Sequence, residues 1–274
     1  MARRIIVIGV VVGFAILFAG LLVTWMVQNR ALADRESARE TLRQLGQFAA
    51  NYHKAVERGG KLPDIRVVPA GTYFRPELAP ERRLSWVPTV LPFLNQKRQD
   101  MAPVLAKIDP TKPWDAESHQ EVARKPIRIL LCPARPPVVP PGEPAVTQFV
   151  GIAGVGPDAA SLPLDSPRAG AFRYDTATPR SAFPDGLSNT LMYAETNYQL
   201  GPWIQGGPST VRGLLDDPKL LGVGGQFGGI HIGGVNFGMA DGGYRFFDDG
   251  MDPAVLRALA TRAGGKAEGE GVTD

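Results

Sequence analysis

The sequence predicts an α+β fold: a long N-terminal transmembrane helix packed on a mainly antiparallel β-sheet with loop-rich insertions. Three observations predict it. Ile5 to Val27 is an uncharged apolar run, an apolar stripe of helical spacing follows with no helix breaker between them, and an Asp-Gly pair between alternating apolar residues marks a hairpin near the C-terminus.

The run IIVIGVVVGFAILFAGLLVTWMV has about 23 residues, enough at 1.5 Å per residue to cross a hydrocarbon core of about 30 Å. Signal peptides carry shorter apolar cores, and no clear A-x-A cleavage site follows, so the run reads as a retained anchor. Beyond it, Ala38, Leu42, Leu45, Ala49, Tyr52 and Val56 alternate spacings of four and three, which places them on one helix face. Leu42, Leu45, Tyr52 and Val56 should be buried, and Arg39, Arg43 and Gln47 exposed. Gly59-Gly60 and Pro63 stop the helix. Arg3, Arg4 and the amino terminus favour a cytoplasmic start, whereas Arg30, Arg35, Arg39 and Arg43 beyond the span divide the positive-inside count. A short tail before a large C-terminal domain fits an anchor with its N-terminus inside.

A formal charge of +3 over 274 residues is too balanced to imply nucleic acid. With 32 glycines and 25 prolines the rest of the chain should be rich in loops, while 44% hydrophobic residues still allow a core. Cys132 is the single cysteine, which excludes an intrachain disulfide and a multi-cysteine zinc site. Lying in IRILLCP, it reads as a buried thiol.

A short strand is expected near 65–68. Ser85 can cap a helix over 86–96, with Pro88 in its first turn and a kink at Pro92. Further helices are expected over 99–108 and 116–124, and strands over 127–131 and 147–153. Residues 135–144 and 154–170 read as loops. In the hairpin, Val235–Ala240 and Gly243–Asp248 flank Asp241-Gly242, a pair suited to a two-residue type I′ turn. That register sets Met239 opposite Tyr244 and Phe237 opposite Phe246. Asp252 and Pro253 open a last helix with Leu256, Leu259 and Ala263 on one face, ended by Gly264-Gly265.

Several segments together resemble the bacterial domain-of-unknown-function 1559 family of pilin-like proteins. They are the helix Leu42–His53, the segment Leu84–Gln96, Pro113-Trp114-Asp115, Cys132-Pro133, Asp185–Glu195 with its D-G-x-S-N-T pattern, and His231 separated by nine residues from Asp241-Gly242. Each is weak alone, and their shared order is specific. The resemblance implies a pilin-like plan, a long N-terminal helix on an antiparallel sheet. The chain departs from the family in lacking the prepilin site Gly-Phe-Thr-Leu-Ile-Glu before the apolar run.

The domain reading is a tail at 1–4, the anchor at 5–27, its amphipathic continuation at 28–57, a pilin-like α+β domain at 58–264 and a disordered tail at 265–274. Candidate site residues are few. His231 with Asp241 reads either as a metal or acid–base pair or as loop and turn architecture. Asp185, Ser188 and Asn189, with Glu195, form a polar cluster that suits a turn or, through its oxygens, calcium. The glycine-rich stretch 222–234 lacks a phosphate-loop pattern, and no G-x-S-x-G or H-E-x-x-H occurs. No catalytic set or cofactor is therefore expected. Gly9 and Gly13 form a small-xxx-small pair that could seat another transmembrane or pilin-like helix. The functional expectation is a single-pass protein of the bacterial cytoplasmic membrane, its C-terminal domain extracytoplasmic, with a structural or interaction role resembling pilins and pseudopilins. A tethered module binding a small ligand or glycan is the alternative.

Overall fold

A computed structural model of the chain describes residues 66–93, 101–216 and 219–264, together with 13, 16–29, 33, 36, 40, 41 and 43–46 near the N-terminus. Residues 16–29 are helical and wholly exposed. Among the described residues no helix is long and apolar enough to cross a membrane. The predicted anchor and its continuation lie partly outside the described residues, as do Arg39, Leu42, Gln47, Tyr52 and Val56. Where the stripe is described it behaves as its spacing predicts: Leu45 is fully buried and Arg43 is exposed.

The main sheet contains β2 (Phe149–Val155), β4 (Leu191–Glu195), β5 (Val211–Leu214), β6 (Gly234–Met239) and β7 (Tyr244–Asp248), in the order β5-β2-β4-β6-β7. Its pairings are antiparallel except that of β2 with β5, which is parallel. A small second sheet pairs β1 (Arg66–Val68) with β3 (Thr178–Pro179). The fold is therefore mixed α+β on a mostly antiparallel sheet.

Each face of the main sheet is covered. On one side Leu45, Trp86, Phe172, Tyr193 and Trp203 form the larger core. Trp86 stacks on Tyr193 with ring centroids 5.7 Å apart and meets Phe172 at 5.1 Å, in the offset and tilted arrangements that aromatic quadrupoles favour. On the other side Val150, Ile152, Val235, Phe237 and Met239 pack under Leu256 and Ala260 of the C-terminal helix Pro253–Ala260. Asp252 caps that helix by accepting a hydrogen bond from the Ala254 amide at 2.8 Å. The helix stops at Ala260, before Ala263 and the glycine pair.

The hairpin register differs by one residue from the expectation. Met239 N donates to Gly243 O at 2.8 Å and Gly242 N to Met239 O at 3.0 Å, so the loop has three residues, with Gly242 at φ +87°. This is the type I turn closed by a left-handed residue, not the two-residue turn. Phe237 consequently faces Arg245, and Asn236 faces Phe246. Phe247 is the residue that packs on Phe237, at 5.6 Å between centroids, while Phe246 is partly exposed.

The run 127–131, expected as a strand, contains a 3-10 turn at Arg128–Leu130. Ile127, Ile129 and Leu130 are buried as predicted while Arg128 is exposed, and the run borders the sheet instead of joining it, held by Gln148 N donating to Leu130 O. The expected helices are short. Ser85 Oγ accepts from Val87 N at 3.2 Å to open Val87–Val90, and the helix tightens to 3-10 geometry over Leu91–Phe93, at Pro92. The other two reduce to Ala102–Leu105 and to Glu117–His119 followed by Gln120–Ala123. The stretch 154–170 holds a buried 3-10 turn at Ala159–Ser161, with Ala159 and Ala160 in the larger core.

Candidate functional site

The pairing of β4 with β6 brings Glu195 beside Asn236. Glu195 Oε1 accepts from the Asn236 backbone N at 2.8 Å and from its Nδ2 at 3.2 Å. Glu195 Oε2 lies 3.2 Å from His231 Nε2, and Cys132 Sγ lies 3.7 Å from the same nitrogen. Gln148, just before β2, fixes the cysteine loop: its Oε1 accepts from Cys132 N at 2.8 Å and its Nε2 donates to Arg135 O. Cys132, Glu195, His231, Asn236 and Gln148 are all buried.

Burial opposes charge on His231, but the hydrogen bonds with Cys132 and Glu195 outweigh it and raise the imidazole pKa to about 9. The raised pKa favours the imidazolium form of His231 at neutral pH. A nucleophilic relay needs its thiol and its carboxylate on opposite ring nitrogens. Here both meet Nε2, and Cys132 has no exposed surface. The arrangement ties together three segments distant in sequence, and Cys132, Glu195 and His231 are each at most 4% exposed.

The candidate pair His231–Asp241 does not meet. Asp241 is exposed in the hairpin turn and accepts from Gly243 N at 2.8 Å, while His231 lies before the opposite end of β6, roughly 20 Å away at 3.3 Å per residue. Asp185, Ser188 and Asn189 stay together in the turn that leads into β4. Asn189 Nδ2 donates to Asp185 O at 3.0 Å, and Gly186 has φ +89°. Glu195 is absent from that group because β4 carries it to the other end of the strand. Among the described residues no three His, Cys, Asp or Glu side chains are grouped to hold a metal ion. For calcium, the turn offers the single carboxylate of Asp185.

A second feature had no signature in the sequence. A cleft of about 450 Å³ opens beside β5, lined by Tyr174, Tyr198, Leu200, Gln205, Ser209 and Arg212 among others. Arg212 is 8% exposed. Its Nε donates to Pro208 O at 2.6 Å, its Nη1 to Tyr198 O at 2.7 Å and its Nη2 to Gln199 O. Gln199 has φ +46°, the only non-glycine in the left-handed region among the described residues, a conformation that costs about 1 kcal/mol or more. Burial pushes the guanidinium pKa down to about 10, and among the described residues no carboxylate pairs with it.

Residues 29–214 match the model of the family described as protein of unknown function DUF1559 (SBP_bac_10), and the chain belongs to that family. Cys132 and Glu195 fall inside the matched residues; His231 and the hairpin lie beyond them. No curated protein and no solved structure matches the chain.

Proposed function

We propose that this chain is a membrane-anchored, pilin-like protein of the bacterial envelope with a structural or interaction role. The observation that carries the reading is the helix at 16–29. Its large apolar side chains, from Ile16 to Val27, are 42–69% exposed on every side. A stretch so uniformly apolar and unburied calls for a nonaqueous surrounding. Residues 16–29 alone span about 21 Å, and the apolar sequence from Ile5 brings the run to the thickness of a bilayer core. The buried state of the Cys132–His231–Glu195 cluster supports the same reading, since it makes the polar residues of the motifs part of the domain's framework. The C-terminal domain then stands outside the cytoplasm, carried by Leu45 and its helix.

Carbonate washing of membranes from cells making the full chain tests this. The protein should stay in the pellet, and protease added from outside should digest the C-terminal domain. A chain recovered in the wash, or one protected from the protease, would overturn the proposal.

A further inference from the structure

We propose that the cleft beside β5 binds a small organic carboxylate, its acid group on Arg212 and its apolar body against Tyr174, Tyr198 and Leu200. This inference is independent of how the chain is held at a membrane.

Arg212 is a nearly buried cation with three of its N–H groups bonded and, among the described residues, no carboxylate against its charge. Three backbone carbonyls take one N–H each from Nε, Nη1 and Nη2. A guanidinium has five N–H groups, so one remains on each terminal nitrogen. Carbonyl dipoles offset only part of the cost of removing a full charge from water, which amounts to several kcal/mol for an unpaired ion. Buried arginines usually meet that cost with a carboxylate, whose two oxygens match the fork of the guanidinium. Here the described residues supply none, and Arg212 is among the residues that line a cleft open to solvent.

The support around Arg212 is preorganised. Two of the three carbonyls belong to the adjacent residues Tyr198 and Gln199, and the left-handed backbone of Gln199 accompanies this double contact. Thr196 Oγ1 accepts from Tyr198 N at 3.0 Å and steadies the same turn. The volume falls within the range of small-molecule sites, which combine apolar walls with a few converging polar groups. Tyrosine rings, proline and leucine supply the walls. Such a lining suits an acid with an aromatic or aliphatic body better than a hydrated inorganic anion.

The test uses the full chain in detergent micelles and ligand-observed saturation-transfer NMR. The probes are 3-phenylpropionate and N-acetylphenylalanine, with 3-phenylpropionamide as the uncharged control and inorganic phosphate as competitor. The acids should bind saturably and the amide about tenfold more weakly or worse, the loss expected when a charged hydrogen-bonding partner is removed. Arg212→Met should abolish acid binding. Leu200→Trp, which narrows the cleft and leaves Arg212 and its carbonyls in place, should abolish it with little change in melting temperature. Equal binding of acid and amide, displacement of the acids by equimolar phosphate, or full binding by a folded Leu200→Trp variant would overturn the proposal. If neither variant folds, the contrast between acid and amide in the wild-type chain decides.

Discussion

Gly46 of the N-terminal helix and Gly242 of the hairpin turn meet backbone to backbone. A Cβ at Gly46 would overlap the Gly242 carbonyl, and one at Gly242 would lie 2.9 Å from the Gly46 carbonyl oxygen. The Asp-Gly turn thus serves two purposes: it sets the hairpin register and it seats the helix that carries Leu45 into the core.

The contact makes Gly46→Ala a diagnostic substitution. In an unobstructed helix this change stabilises by about 0.5–1 kcal/mol. Against the Gly242 carbonyl it should instead destabilise, by about 1–3 kcal/mol. Denaturant unfolding of the full chain in micelles gives the sign, and a stabilised variant would show that the helix does not sit on the turn.

Gly242→Val should cost more than Gly242→Ala. Both force a side chain into positive φ and toward Gly46, at about 1–3 kcal/mol for the backbone alone, and the β-branched residue resists that region further. Equal melting temperatures for wild type and Gly242→Val would remove the turn from this role.

His231, through its contacts with Cys132 and Glu195, gives stability a defined pH dependence. The folded pKa of about 9 lies above the ordinary imidazole value near 6.5. The contribution is therefore complete below about pH 6.5, declines between there and 9, and is lost above. Its size at low pH is on the order of 3 kcal/mol. The stability difference between wild type and His231→Gln should shrink steadily from pH 6.5 to 10. A difference constant over that range would mean that the histidine is neutral in the fold.

Glu195→Ala should destabilise by about 3–5 kcal/mol, because it strands a buried imidazolium. Glu195→Gln should cost less, since an amide oxygen can still accept from Asn236 N. In the wild type, alkylation of Cys132 by iodoacetamide should proceed only as fast as the domain opens, because the thiol has no exposed surface. Rapid labelling under native conditions would contradict the closed cluster.

Leu45→Ala should cost about 2–5 kcal/mol, as for other fully buried leucines. A loss below 1 kcal/mol in thermal or denaturant unfolding would detach the helix from the core.

Local chemistry carried most of what the sequence disclosed. Asp252 and Pro253 announce the last helix, and Leu45 announces its own burial through spacing. The hairpin was legible as a hairpin, but Asp-Gly serves a two-residue or a three-residue loop. Because Phe246 and Phe247 are adjacent and both apolar, the hydrophobic pattern fits either register. The run at 127–131 shows the limit of an apolar stretch, which signals burial without choosing between strand and helical turn. For the site, Cys132, Glu195 and His231 each stood in a motif, but their meeting depends on the pairing of β4 with β6, a tertiary fact. Nearness in sequence places Glu195 with Asp185, a grouping that a strand undoes over its length. Arg212 had no local mark, since its isolation arises from what surrounds it in space.

The seat at Gly242 also dictates an order of events during synthesis. At 5–20 residues per second, the ribosome makes the turn roughly 10–40 s after residue 46. Throughout that interval the helix lacks the contact of Gly46 with Gly242. Nascent chains stalled at residue 230 should therefore be cut by protease near residue 45, where the finished protein resists. The last hairpin to be translated thus supplies one of the contacts that hold the first helix in the domain.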